Sequence, residues 1–253
     1  MTGSVVVAGL GPGAQELITP EVSAALARAT DIVGYAPYVA RVAERDGLLR
    51  HASDNREELD RAGFALRLAT EGRHVMIVSS GDPGVFAMAA ALFEAIEAGD
   101  PSWRELDIRV LPGISAMFAA AARIGAPLGH DFCAINLSDN LKPWETVEKR
   151  LRAAAEADFV IALYNPISKA RPWQLGRAFE LLRSIHPASA PVIFATAISD
   201  PRERIDVAPL GEAVPQRADM RTLVMIGSSQ TRIIPRSSGN AFVYTPRFSG
   251  AVS

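Results

Sequence analysis

The stretch "VVVAGLGPGAQELIT", residues 5–19, decides how the rest of the chain is read. Val5 to Ala8 form a short apolar, β-branched run of the kind that makes a buried strand. It feeds Gly9, Gly11 and Ala14, spaced as G-x-G-x-x-A, the pattern of a loop that cradles a dinucleotide pyrophosphate. Such a loop works when a helix opens inside it, so that N-terminal amides and the helix dipole meet the phosphates. Here the helix starts later. Thr19 is a good N-cap, Pro20 fits the first helical position, and Glu21 falls in the electropositive first turn. Pro12 also removes one loop amide. An acid for the ribose hydroxyls belongs at the end of the next strand, ~20 residues on. Asp31 instead stands at the start of that strand, which ends in Gly34-Tyr35. The glycines therefore read better as a bend that lets two segments approach closely. A dinucleotide-binding oxidoreductase remains the alternative.

Working outward, short β-branched runs alternate with longer alanine-rich stretches, the pattern of a parallel α/β architecture. Strands are predicted at 4–8, 31–34, 74–79, 107–111, 131–136, 158–163, 191–197 and 222–227. Helices are predicted at 20–29, 57–70, 84–98, 114–124, 143–157 and 173–186. In the third helix Val85, Met88, Ala89, Leu92 and Ile96 follow helical spacing. The Gly- and Pro-rich stretch around 125–129 sets a domain boundary, giving an N-terminal α/β domain at 1–124 and a C-terminal one at 125–253. Ligands of such folds sit beyond the carboxyl ends of strands. The informative loops are thus 9–13, 79–84, 112–116, 138–140, 164–168 and 196–199.

The 253 residues are 49% apolar and 21% charged, with a net charge of −2, the profile of a folded chain without the basic footprint of a nucleic-acid binder. Cys133 is the only cysteine, so neither a disulfide nor a cysteine-rich zinc site can form. His51, His74, His130 and His186 show no metal spacing, and no metal is expected. The chain opens on a strand-like run without signal-peptide character and has no apolar stretch of membrane-spanning length, which predicts a cytoplasmic protein.

Two further loops sharpen the reading. "VSSGDPGVFAMAAAL" (78–92) places Asp82 and Pro83 where an N-cap and first helical residue would stand, and capping alone could explain Asp82. "VLPGISAMFAAAARIGAPL" (110–128) puts Pro-Gly at a strand end and Ser115 near the next helix start. Taken in order with "GLGPGAQELIT", these loops make the chain similar to the tetrapyrrole methyltransferase family, which uses S-adenosylmethionine. Leu17 and Thr19 match the family's G-x-G-P-G-x-x-x-x-L-T signature. The likeness covers nearly the whole chain. It is strongest to the branch that methylates and contracts the precorrin ring in cobalamin biosynthesis, through "DIVGYAPYV" (31–39), residues 53–95, residues 137–175 and "YTPR" (244–247).

The resemblance implies a tetrapyrrole methylase fold of two α/β domains with the cofactor in the cleft between them, and a homodimer. It implies S-adenosylmethionine as methyl donor, released as S-adenosylhomocysteine, and a small-molecule tetrapyrrole substrate. Carried over residue by residue, the cofactor contacts are Pro12, Gly81, Asp82, Val85, Ser115, Ala116, Asn165 and Thr196. The glycine signature, including Gly11, would lie beside the substrate as well.

Methyl transfer asks mainly that donor and acceptor be held aligned and dry. Ring contraction also needs a proton donor, for which Ser138, Asp139, Tyr164 and Lys169 stand open. The macrocycle carboxylates suit Arg56, Lys142, Lys169 and Arg171, each of which is equally readable as a solvated surface charge. Trp144 and Trp173 could flank the ring or simply pack helices.

Overall fold

The computed structural model describes residues 3–54, 57–168 and 170–248. It consists of two compact units, Met1–Ser115 and Ala116–Ser253. The Gly- and Pro-rich stretch at 125–129 follows the helix at 116–124, which packs on strands of the second unit.

The first unit comprises β1 (Ser4–Gly9), α1 (Pro20–Arg28), β2 (Asp31–Tyr35), α2 (Ala36–Val39), β3 (Leu49–Ser53), α3 (Glu58–Thr70), β4 (His74–Ser79), α4 (Met88–Ala98) and β5 (Asp107–Leu111). Its strands form one parallel sheet in the order β3-β2-β4-β1-β5. Both faces of that sheet are covered. Val5, Val7, Val75 and Ile77 point into one core with Leu66 of α3 and Leu92 of α4. Val6, Ala8, Met76 and Val78 point into the other with Val22 and Ala25 of α1. Alternate residues of a strand face opposite ways, so burial on both sides demands the uninterrupted apolar run read at residues 5–8. Each buried valine or isoleucine contributes about 1.5–3 kcal/mol. The late start of α1 is confirmed: Thr19 Oγ1 accepts the Val22 amide at 3.3 Å, and Pro20 is the first helical residue.

Asp31, at the amino end of β2, is fully buried. Its carboxylate accepts hydrogen bonds from Arg73 Nε at 2.7 Å and Thr30 Oγ1 at 2.7 Å, and pairs with His51 Nε2 at 2.8 Å. Burial pushes the Asp31 carboxyl up, but the bonds from Arg73, His51 and Thr30 outweigh it and hold the group below its ordinary value. It joins β2 to β3 and to the turn before β4, at the end of the sheet opposite the glycine loops.

The second unit comprises α5 (Ala116–Ile124), β6 (Gly125–Ala126), β7 (Phe132–Asn136), α6 (Trp144–Glu156), β8 (Val160–Tyr164), α7 (Gln174–Arg183), β9 (Pro191–Thr196), β10 (Arg204–Pro209), β11 (Thr222–Ile226), β12 (Arg232–Ile234) and β13 (Phe242–Tyr244). Its main sheet has the order β10-β9-β11-β8-β7, and β12-β13-β6 form a small one. Only β7 and β8 pair in parallel within the main sheet; β8, β11, β9 and β10 are successively antiparallel. The all-parallel expectation therefore fails here. Parallel neighbours need a long crossover, and α6 supplies one between β7 and β8, whereas β9 and β10 are joined by a short turn. The α/β class holds in both units.

Candidate active site

Because β1, β4 and β5 are adjacent and parallel, their carboxyl ends bring "GLGPG", "SSGDPG" and "LPGIS" together. Gly11 and Gly81 exchange backbone hydrogen bonds at 3.2 and 2.9 Å, an isolated antiparallel bridge between two loops. Gly9 and Gly113 flank it. A Cβ on Gly113 would stand 2.1 Å from the Gly81 carbonyl oxygen, and one on Gly9 would stand 2.4 Å from the same atom. The glycines thus let three backbones touch. This is the close approach read from the sequence, with backbone polar groups rather than side chains forming the surface.

Asp82 closes the arrangement. Its Oδ1 accepts the Gly84 amide at 2.8 Å and its Oδ2 accepts the Gly113 amide at 3.0 Å. The capping alternative is corrected here: α4 begins at Met88, after a turn in which Phe86 adopts φ 53°, and Ala87 stands at its N-cap. Pro83 accepts the Ala89 amide through its carbonyl, so the intervening residues fold as a loop. Val85 consequently precedes the helix face on which its spacing placed it. Pro12 and Gly81 lie in the joined loops, and Ser115 is buried where the third loop ends.

In the second unit β7, β8 and β9 run in one direction, so Asn136, Tyr164 and Thr196 end at the same edge. Asn136 Oδ1 accepts from the Ser138 amide at 2.9 Å and from Asn165 Nδ2 at 3.0 Å. Asn165 itself is left-handed at φ 50°, a conformation asparagine tolerates better than most residues. The Tyr164 hydroxyl accepts the Met117 amide of α5 at 3.3 Å. Thr196 is buried and shares a 2.8 Å hydroxyl contact with Thr222. Ala116 opens α5.

Of the substrate residues that the resemblance implies, Ser138, Asp139, Lys142 and Arg171 lie in this unit, and Gly11 lies in the first. Asp139 Oδ1 accepts from Arg171 at 2.5 Å and from the buried Gln174 at 3.0 Å. Lys142 Nζ donates to the Ser138 carbonyl at 3.1 Å. Burial, with the nearby Arg150, pushes the Lys142 ammonium down. Trp144 and Trp173 meet edge to face at 4.9 Å. Lys169, like Arg56, lies outside the described residues.

Cys133 packs beside the apolar core of this unit, and burial pushes its thiol up to about 11, as suits a small hydrophobe and not a nucleophile. Among the described residues no group of three or more His, Cys, Asp or Glu side chains is placed to hold a metal ion. Arg61 carried no motif, yet its guanidinium is buried in the first unit and bonds Ser53 Oγ at 2.8 Å, the Asp54 carbonyl and Met88 Sδ. An arginine on the small-residue face of α3 was the signal for it.

The model of the Tetrapyrrole (Corrin/Porphyrin) Methylases matches residues 4–214. The chain belongs to this family. Among tetrapyrrole methylases, the precorrin-3B C(17)-methyltransferase of a Sinorhizobium species is 61% identical over 253 residues, the whole of both chains. The crystal structure of the methyltransferase CobJ superposes with a TM-score of 0.92 at 60% identity, covering 96% of this chain and all of that one. The uroporphyrin-III C-methyl transferase of Thermus thermophilus, solved with S-adenyl homocysteine, shares the fold with a TM-score of 0.67 at 22% identity, over 89% of this chain and 97% of that one.

Proposed function

We propose that this tetrapyrrole methylase transfers a methyl group from S-adenosylmethionine to C17 of precorrin-3B, with contraction of the macrocycle, in cobalamin biosynthesis. The observation that carries this reading is the full-length, 61% identical relative named for that reaction.

The cofactor contacts are assigned to Pro12, Gly81, Asp82, Val85, Ser115, Ala116, Asn165 and Thr196. The joined glycine loops suit such a ligand, because backbone amides and carbonyls can meet the donors and acceptors of its adenine and amino-acid ends. When bound, the cofactor supplies an electrophilic methyl on a sulfonium sulfur, which departs as a thioether with the electron pair of the broken bond. The carbon acceptor of a partly reduced tetrapyrrole is enamine-like, so the protein's share is alignment and exclusion of water. The Gly9–Gly81–Gly113 contact and the Asp82 carboxylate serve alignment by fixing three loops to one another.

Gly11, Ser138, Asp139, Lys142, Lys169 and Arg171 are assigned to the substrate. A carboxylate of the macrocycle beside Lys142 would stabilise the ammonium that burial disfavours. Among the groups open as proton donor for the contraction, the Tyr164 hydroxyl is held by a backbone amide and Asp139 by Arg171 and Gln174. The same reading gives a homodimer acting in the cytoplasm. Sedimentation measures the first; among the described residues no helix is long and apolar enough to cross a membrane.

A relative acting on the cobalt-containing counterpart is the second reading. Turnover of precorrin-3B and of cobalt-factor III, compared as kcat/KM, separates them. The proposal expects the metal-free substrate to be preferred, and a preference for the cobalt form contradicts it.

A further inference from the structure

Arg41 follows the last turn of α2, with its amide donating to the Tyr38 carbonyl at 3.1 Å. Its side chain reaches the glycine loop. The guanidinium donates to the carbonyl oxygens of Leu10 at 2.5 Å, Gly11 at 3.0 Å and Gly13 at 3.0 Å. One planar donor fork therefore gathers three of four consecutive carbonyls.

Backbone bonds tie the start of the loop, where the Leu10 amide donates to the Ser79 carbonyl at 2.8 Å. Gly11 is left-handed at φ 66°, and its exchange with Gly81 ties only one point of the bend. Pro12 has no amide to offer. Because trans peptides oppose C=O and N–H, turning the Gly13 carbonyl toward Arg41 directs the Ala14 amide the other way. Among the described residues Arg41 has no carboxylate partner, and burial pushes its guanidinium down. Its charge is met by carbonyl dipoles of the loop itself.

We propose that Arg41 is a positioning residue for methyl transfer, acting through the glycine loop to hold Gly11, Pro12 and Gly13 in the form that receives cofactor and substrate. This rests on the methyltransferase reading above. Arg41 touches neither reactant; it sets the backbone that does. Lysine cannot replace it, since a point ammonium cannot span three carbonyls in a fixed plane.

The test compares wild type, Arg41→Met, Arg41→Lys and Arg45→Met. Arg45 is the control, because it donates to the carbonyls of Leu26 and Ala29 at the end of α1, away from the glycine loop. S-adenosylhomocysteine affinity is read by calorimetry, and exchange of the Gly11, Gly13 and Ala14 amides by hydrogen–deuterium exchange. Arg41→Met should weaken affinity by about tenfold or more, consistent with losing charge-assisted bonds. It should also speed exchange at the loop while the amides of β1 and β4 stay protected. Arg41→Lys should recover only part of the affinity, and Arg45→Met should bind as wild type does even if its Tm falls. Unchanged affinity in Arg41→Met, full rescue by lysine, or equal weakening in Arg45→Met overturns the proposal. If Arg41→Met does not fold, Arg41→Lys decides by the same criterion: wild-type affinity overturns it and a loss supports it. Failure of the wild type itself to bind S-adenosylhomocysteine would strike the methyltransferase reading, a distinguishable result.

Discussion

The Asp82 carboxylate accepts the Gly113 amide at 3.0 Å, so a side chain of the loop after β4 holds the backbone of the loop after β5. Its other oxygen holds Gly84 within its own loop. Asp82 fixes loop to loop and caps no helix.

Asp82→Ala should lower S-adenosylhomocysteine affinity by about a hundredfold, near 2.7 kcal/mol, while costing about 1–2 kcal/mol of stability, because the Gly84 bond is solvent-exposed. Calorimetry and urea denaturation measure the two. Asp82→Asn, which keeps one acceptor, should fall between. An unfolded variant, or one with unchanged affinity, would reduce Asp82 to a structural turn residue.

Gly113→Ala should be worse for activity than its small size suggests. The added methyl would stand 2.1 Å from the Gly81 carbonyl, a backbone atom that cannot swing aside as a side chain would. Methyl transfer should drop by at least about tenfold with stability lowered by about 1–3 kcal/mol, the usual cost of overpacking. Gly47→Ala is a useful comparison: space at Gly47 is open, so it should suffer only from its φ of 78°.

Asp31 makes stability depend on acid. Its folded carboxyl lies below the ordinary 3.8, so its contribution is fully present above that value and is lost as pH falls through the folded pKa. Asp31→Asn should lower stability at pH 7 and flatten the decline of stability below about pH 4, measured by urea unfolding across pH. Cofactor affinity should not change at neutral pH, since Asp31 lies at the amino end of the sheet. A variant whose acid limb matched the wild type would contradict this account.

Cys133 should be dispensable. With its thiol pushed up to about 11, little thiolate exists at neutral pH, and Cys133→Ala should keep kcat/KM within about twofold. Iodoacetamide at pH 7.5 should leave activity intact. Rapid inactivation tracking modification of Cys133 would overturn this.

Much of this was legible in the sequence where a single physical constraint dominates. Residues buried on both faces must be apolar, so β1, β4 and β9 stand out; Thr19-Pro20 announces α1 because a helix start needs a cap and tolerates proline. Other elements carried weaker signals. β3 and β10 are half-exposed edge strands of the two sheets, and their "LRHAS" and "RIDVAP" lack an apolar run. The direction of β11 depends on which strand it pairs with, a non-local choice that local patterning does not encode. At the site the glycine spacing disclosed a close approach, but not its partners. Asp82 resembled a cap because an N-cap and a loop-to-loop acceptor use the same short carboxylate near the same kind of turn. Arg41 was silent, since its partners are backbone carbonyls distant in sequence.

The central claim is tested most directly by incubating the protein with precorrin-3B and methyl-labelled S-adenosylmethionine and reading the product by mass and spectrum. The account predicts one labelled methyl at C17 of a ring-contracted tetrapyrrole, together with one equivalent of S-adenosylhomocysteine. Label at another ring carbon, or no transfer from a preparation that binds S-adenosylhomocysteine, would contradict it.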